Sequence, residues 1–186
     1  MANSVGEGLD RALEQAVTRP IPKSAGAQMR YLVKQMKGTK AVARMLRISQ
    51  RTVERYVKDQ IRKPRPDLAG RMEAEVRKRW QPQVRAKAKK AASSTNGIVV
   101  DVRARLGYSA PVGTTDEARM RHLTVALPPQ FAARLFNAQE QGASDAQLRK
   151  IAAEGLKEVY FQNRGTRAGS LEEVHMLDVQ NIEFGL

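Results

Sequence analysis

Apolar residues recur at helical intervals through the first half of the chain and alternate with polar ones later. Leu9, Leu13, Ala16 and Val17 predict a short amphipathic helix over 6–18. It stops at Arg19-Pro20-Ile21-Pro22, where two prolines hold extended chain. AQMRYLVKQMK reads as a second helix running to Gly38, a residue suited to capping its C-terminus. Residues 67–90 read as helical again, with Pro82 as a break or kink and Leu68, Met72, Val76 and Trp80 as the buried stripe. AASSTNG, residues 91–97, is small, polar and turn-like, and is read as a linker. Beyond it, IVVDVRARLGY and RMRHLTVAL alternate like strands. PPQFAARLFNAQEQG and SDAQLRKIAAEGLKEVYFQ read as helices, the first with proline in its first turn and the second with Ser144 as N-cap. VHMLDVQNIEFGL closes the chain as a strand. The expected fold is a mainly α domain over 1–90 and a small α+β domain of order β-β-α-α-β over 98–186.

Within the first domain, GTKAVARMLRISQRTVERYVKDQIRKP has the spacing of a helix-turn-helix at about 40–61. Ala41, Val42, Met45 and Leu46 line the first helix, Ile48 lies in the turn, and Ser49 is an N-cap for a second helix that buries Val53 and Tyr56 or Val57. Ala43 supplies a small residue where the helices approach. Arg47 departs from the pattern, because many such motifs carry glycine at that left-handed position. The second helix would enter the major groove with Gln50, Arg51 and Thr52 toward base edges and Arg55 one turn on, within reach of a base or a phosphate. Lys40, Arg44, Lys58, Arg62, Lys63 and Arg65 are assigned to phosphate, which positions without specifying.

Charge sharpens that reading. The chain carries a net +14, but Arg19–Lys90 alone holds 22 Lys/Arg against 5 Asp/Glu, so the remainder is net −3. Such a concentration fits a phosphate-neutralising domain better than a membrane-surface helix, which needs an apolar face rich in Trp, Phe and Leu. No cysteine and only two histidines, His122 and His175, argue against a Cys/His zinc site and exclude thiol catalysis. The N-terminus lacks the basic start and apolar core of a signal peptide, and no apolar run spans a bilayer, so a cytoplasmic protein is expected.

The α+β half contains no P-loop, no Gly-x-Ser-x-Gly and no metal-ligand spacing, which gives no case for an autonomous enzyme. Its oddity is GTTDEARM at 113–120. Thr114-x-x-Glu117 matches a capping box, so either threonine has a structural reading as the cap of a short helix at 115–121.

KSAGAQMRYLVKQMKGTKAVARMLRISQRTVERYVKDQI, KPRPDL, KRWQPQ, GTTDEARMRHLTVALPP and IAAEGLKEVYFQ together resemble the terminal proteins of streptomycete telomeres, over nearly all 186 residues. The resemblance implies protein-primed DNA synthesis, in which a side-chain hydroxyl replaces the 3′-OH of a primer and stays joined to the DNA 5′ end. The implied priming residue is Thr114, with Thr115 the alternative, presented at a hairpin tip where Gly113 gives the backbone room. Arg103, Arg119 and Arg121 are expected to steady phosphates there. The implied partners are telomeric DNA, a DNA polymerase and an accessory telomere-binding protein, with self-association left open and no membrane. No cofactor of its own is implied; divalent metal and dNTP come with the polymerase, and the protein would reside in the nucleoid at chromosome or plasmid ends. The rival readings are a helix-turn-helix transcriptional regulator with a C-terminal sensing or dimerisation domain, and a structural DNA protein acting by charge alone.

Overall fold

Two hydrophobic cores form in a computed structural model that describes residues 4–109, 116–162 and 173–186. The elements are α1 (Val5–Gln15), α2 (Ala25–Gln35), α3 (Thr39–Leu46), α4 (Gln50–Val57), α5 (Pro66–Arg79), α6 (Pro82–Ala91), β1 (Ile98–Ser109), β2 (Asp116–Leu127), α7 (Pro129–Glu140), α8 (Asp145–Leu156) and β3 (Glu173–Gly185). Short π-helical stretches, Ala92–Asn96 and Lys157–Phe161, prolong α6 and α8. The fold is thus an α-helical part and a small α+β part, in the order the alternating pattern predicts.

The helical unit spans Thr18–Pro82. Met29 and Leu32 of α2, Val42 and Leu46 of α3, Val53 of α4, and Met72 and Val76 of α5 are fully buried in one cluster. Trp80 is only partly buried, because the helix ends before it. Its ring tilts against Tyr31 at 4.8 Å, and its indole N–H donates to the Arg19 carbonyl at 2.9 Å. The Thr18 N–H reaches Gln81 Oε1 at 2.9 Å, so the two ends of this unit are tied together.

The second unit is Met1–Val17 together with Gln83–Leu186. This corrects the division into 1–90 and 98–186, and the reading of 91–97 as a linker. The helix predicted over 6–18 ends at Gln15, leaving Ala16 and Val17 outside it; its buried apolar side chains are Val5, Leu9, Ala12 and Leu13. They join the core of the sheet, since helical period marks an apolar face without naming its partner. Ala92 is buried in that core too. At Gly97 (φ 75) a Cβ would stand 2.2 Å from the Leu127 carbonyl oxygen, so close packing and a left-handed backbone both require glycine there.

The three strands are antiparallel in the order β2-β1-β3. Alternation along the central strand sends Val100, Val102, Ala104 and Leu106 into the core with Phe131, Leu135, Phe136 and Leu156, and leaves Val99, Arg103 and Arg105 exposed on the other face. Ser144 caps α8, as its sequence predicts, and Gln147 completes a capping box with it. Among the described residues no helix is long and apolar enough to cross a membrane.

Candidate nucleic-acid interface

The helical unit holds 18 Lys/Arg against 5 Asp/Glu, a net +13, while the α+β unit is net +1. Within the former, α3, the turn Arg47-Ile48-Ser49 and α4 form a helix-turn-helix. Ser49 caps α4 by accepting the Thr52 N–H at 3.1 Å. Arg47 takes φ 54 and ψ 49, the left-handed geometry at which its sequence departs from glycine. Of the two candidates left open for the buried position on α4, Tyr56 is the buried one and Val57 only partly so. Burial pushes the Tyr56 phenol above its ordinary pKa, against the opposing pull of Arg55 and Arg65. Arg30 fixes the far end of α4, donating to the Val57 carbonyl at 2.9 Å and to Asp59 at 2.7 Å.

The candidate contacts separate into two groups. Gln50 donates to Glu54 Oε1 at 3.0 Å, and the Thr52 hydroxyl lies 2.8 Å from that of Ser49, so both are engaged within their own helix. Arg51, Arg55 and Lys58, spaced four and three apart, form an exposed stripe away from Val53 and Tyr56. None of the three makes a side-chain ion pair or hydrogen bond among the described residues. Lys40 and Arg44 are exposed one turn apart on α3, and Arg62, Lys63 and Arg65 are exposed in the connection to α5, where Pro64 and Pro66 restrict the backbone. On this geometry, Arg51→Ala should lose discrimination between DNA sequences by about 1–3 kcal/mol at one position. Lys58→Ala should weaken binding to all sequences alike and lower the salt slope by about one. Equal losses on every DNA from Arg51→Ala, measured by fluorescence anisotropy, would remove α4 as the reading helix.

Thr114 and Thr115 lie outside the described residues, in the 110–115 connection between β1 and β2. Asp116 already belongs to β2, paired with Tyr108, so residues 116–121 do not form the short helix that the capping-box spacing suggests. Pairing with β1 overrides that local signal. The three arginines expected to converge near the loop do not share one face. Arg103 pairs with His122 on the open side of the sheet, while Arg119 and Arg121 pair with Leu106 and Ala104, whose side chains point to the core. Arg121 lies over the Phe161 ring at 5.7 Å, and Phe161 also meets Tyr108 at 5.9 Å and Tyr160 at 5.0 Å. This aromatic group at the hairpin end went unmarked in the sequence, where only the adjacency of Tyr160 and Phe161 signals it. An open groove of about 300 Å³ nearby is lined by Ser109, Lys150, Glu154, Lys157, Glu173 and Val174.

The open face of the sheet carries a second polar group. Thr124 donates to Asp101 at 2.6 Å and His122 Nε2 lies 3.1 Å from both carboxylate oxygens. The threonine hydroxyl first, and His122 after it, hold the Asp101 carboxyl below its ordinary pKa despite some burial. A depressed carboxyl stabilises the fold above its unfolded pKa and loses that contribution as pH falls through the folded value. Thr124→Val should therefore raise the Asp101 pKa in a carboxyl-carbon NMR titration; an unchanged value would remove Thr124 as the main cause. Among the described residues no group of three or more His, Asp or Glu is placed to hold a metal ion.

No protein-family model, no curated protein and no solved structure matches this chain.

Proposed function

We propose that this protein is a telomere terminal protein: it binds telomeric DNA through the helical unit and primes DNA synthesis through a threonine hydroxyl of the α+β unit. The observation that carries the reading is the pairing of a +13 helix-turn-helix unit with a nearly neutral α+β unit whose β1–β2 connection contains Thr114. The resemblance of GTTDEARMRHLTVALPP to the terminal proteins of streptomycete telomeres supports it. DNA binding holds the chain at the end to be copied, and the priming hydroxyl belongs to a unit whose positive and negative charges nearly balance.

The step is a phosphoryl transfer. Thr114 Oγ attacks the α-phosphorus of a dNTP, the Oγ–P bond forms, and the bond from that phosphorus to the bridging oxygen breaks. Pyrophosphate leaves with the electron pair, and the hydroxyl proton passes to a base or water in the polymerase site. An aliphatic hydroxyl is a poor nucleophile at neutral pH, so activation comes from two divalent ions that stabilise the attacking and leaving oxygens. The polymerase supplies those ions, and this chain supplies the hydroxyl. The new 3′-OH of the attached nucleotide is then extended along the telomere strand, with an accessory telomere-binding protein bringing the chain to the end. The site of action on this reading is the nucleoid.

The test is incubation of the protein with a polymerase, telomeric template and labelled dNTP, followed by denaturing electrophoresis. Label that travels with the protein after denaturation supports priming. Reversible binding to a duplex operator, with no covalent label in the complete reaction, favours a helix-turn-helix regulator instead.

A further inference from the structure

Three helices of the basic unit end in a left-handed residue, and none of the three is glycine: Lys37 (φ 55) after α2, Arg47 (φ 54) after α3 and Asp59 (φ 55) after α4. Each is followed by the same closing bond: the Gly38 N–H reaches the Val33 carbonyl at 3.1 Å, Ile48 reaches Ala43 at 3.0 Å, and Gln60 reaches Arg55 at 2.9 Å. This is the Schellman arrangement, whose left-handed position favours glycine because any Cβ there crowds the backbone carbonyl.

Asp59 has a visible reason to occupy such a position. Aspartate tolerates the left-handed region better than most residues, and its carboxylate binds Arg30 at 2.7 Å across to α2. Lys37 and Arg47 lack both reasons. They are exposed, and their side chains make no ion pair or hydrogen bond among the described residues. They bracket Lys40 and Arg44, the exposed pair on α3, whose other face buries Val42, Ala43 and Leu46. Lys40 and Arg44 thus lie on the first helix of a helix-turn-helix, the helix that crosses the DNA backbone in this motif. Lys37 and Arg47 flank it, one just before its N-cap Gly38 and the other at its C-cap.

We propose that Lys37 and Arg47 are phosphate-contacting residues, kept in left-handed backbone at a cost in stability because nucleic-acid binding uses their charge. The proposal rests on the DNA-binding reading above and adds two contacts to it. A competing explanation is local: a cation near a helix C-terminus offsets the helix dipole, and would then stabilise the fold without touching DNA.

Arg47→Gly and Lys37→Gly in the full chain separate the two. Stability of the helical unit is followed by fluorescence of Trp80, the chain's single tryptophan. Binding to a short fluorescein-labelled telomeric duplex, and to one of its strands alone, is followed across a salt series. Each glycine variant should raise the Tm of this unit by roughly 2–5 °C. Each should also weaken DNA binding several-fold at low salt and reduce the salt slope by about one. Arg47→Lys, which keeps both charge and backbone strain, should leave Tm and slope near wild type. A raised Tm with unchanged DNA affinity overturns the proposal, and so does weaker binding without a gain in Tm. A wild-type chain that binds neither probe overturns the DNA reading itself, a result distinct from either of these.

Discussion

Thr114→Ala is expected to reduce covalent nucleotide transfer to background while leaving affinity for telomeric DNA at the wild-type value. The expectation follows from the division of labour in the chain. DNA contacts are assigned to α3, α4 and the Arg62–Arg65 connection, all within Thr18–Pro82, and the threonine belongs to the other unit. Alanine removes the nucleophilic oxygen itself, so no increase in dNTP or metal restores the reaction. Thr114→Ser keeps an aliphatic hydroxyl, now primary rather than secondary, and should retain measurable labelling. Thr115→Ala should label as the wild type does. If Thr115→Ala loses label and Thr114→Ala keeps it, the priming residue is Thr115 and the function stands. If both single variants label fully and the double variant also does, the hydroxyl lies elsewhere and the GTTD reading is lost. If Thr114→Ala weakens DNA binding as much as labelling, the two activities are not separable along the chain as proposed.

The sequence made some features legible and hid others for physical reasons. Helices α2 to α5 and the helix-turn-helix were readable because their signals are local: apolar residues at helical spacing, Ser49 before α4, and prolines at the breaks. Even the anomaly at Arg47 was readable, since a turn of this kind demands a left-handed residue there whatever the side chain. The three strands followed from alternation of Val and Ile with polar residues, but their order did not, because pairing is a choice among partners distant in sequence. The capping-box match at Thr114-x-x-Glu117 shows the limit of a local rule. The same spacing occurs at the start of a strand, and the pairing of Asp116 with Tyr108 decides the outcome. Arg103, Arg119 and Arg121 lie close in sequence or in register, yet an odd-numbered offset between paired positions places them on opposite faces. Among the candidate contacts, the exposure of Arg51, Arg55 and Lys58 follows from helical period, but the engagement of Gln50 by Glu54 does not, because either side chain could as well face solvent alone.

Leu9→Ala should destabilise the α+β unit by about 2–5 kcal/mol and leave the helical unit intact, although residue 9 lies far closer in sequence to the latter. Leu9 is fully buried, with Val5 beside it and Ala12 and Leu13 on the next turn, and all four join the core that contains Ile182 and Phe184 of β3. The fit is close. At Gly8 a Cβ would stand 2.9 Å from the Phe184 ring and 3.0 Å from the Ile182 carbonyl oxygen, so α1 approaches β3 as nearly as the backbone allows. Polar bonds tie α1 to the neighbouring helices as well: the Val5 N–H donates to Asp145 of α8 at 2.7 Å, and Gln139 of α7 donates to the Gly6 carbonyl at 3.1 Å. A cavity left by truncating Leu9 cannot be filled by a helix already in contact along that face. The loss is a large fraction of the 5–15 kcal/mol that holds a typical domain together. Hydrogen exchange of the β1 and β3 amides should accelerate together in this variant, while Trp80 fluorescence, which reports the helical unit, should melt as in the wild type. Gly8→Val should act in the same direction by overpacking rather than by leaving a void. Unchanged exchange in β1 and β3 after Leu9→Ala would mean that α1 is an appendage, and the α+β unit would then be the 98–186 domain that the charge boundary suggested. If exchange does accelerate, priming should fall in step with the folded fraction of this unit while DNA binding holds, because the first seventeen residues support the unit that carries the threonine.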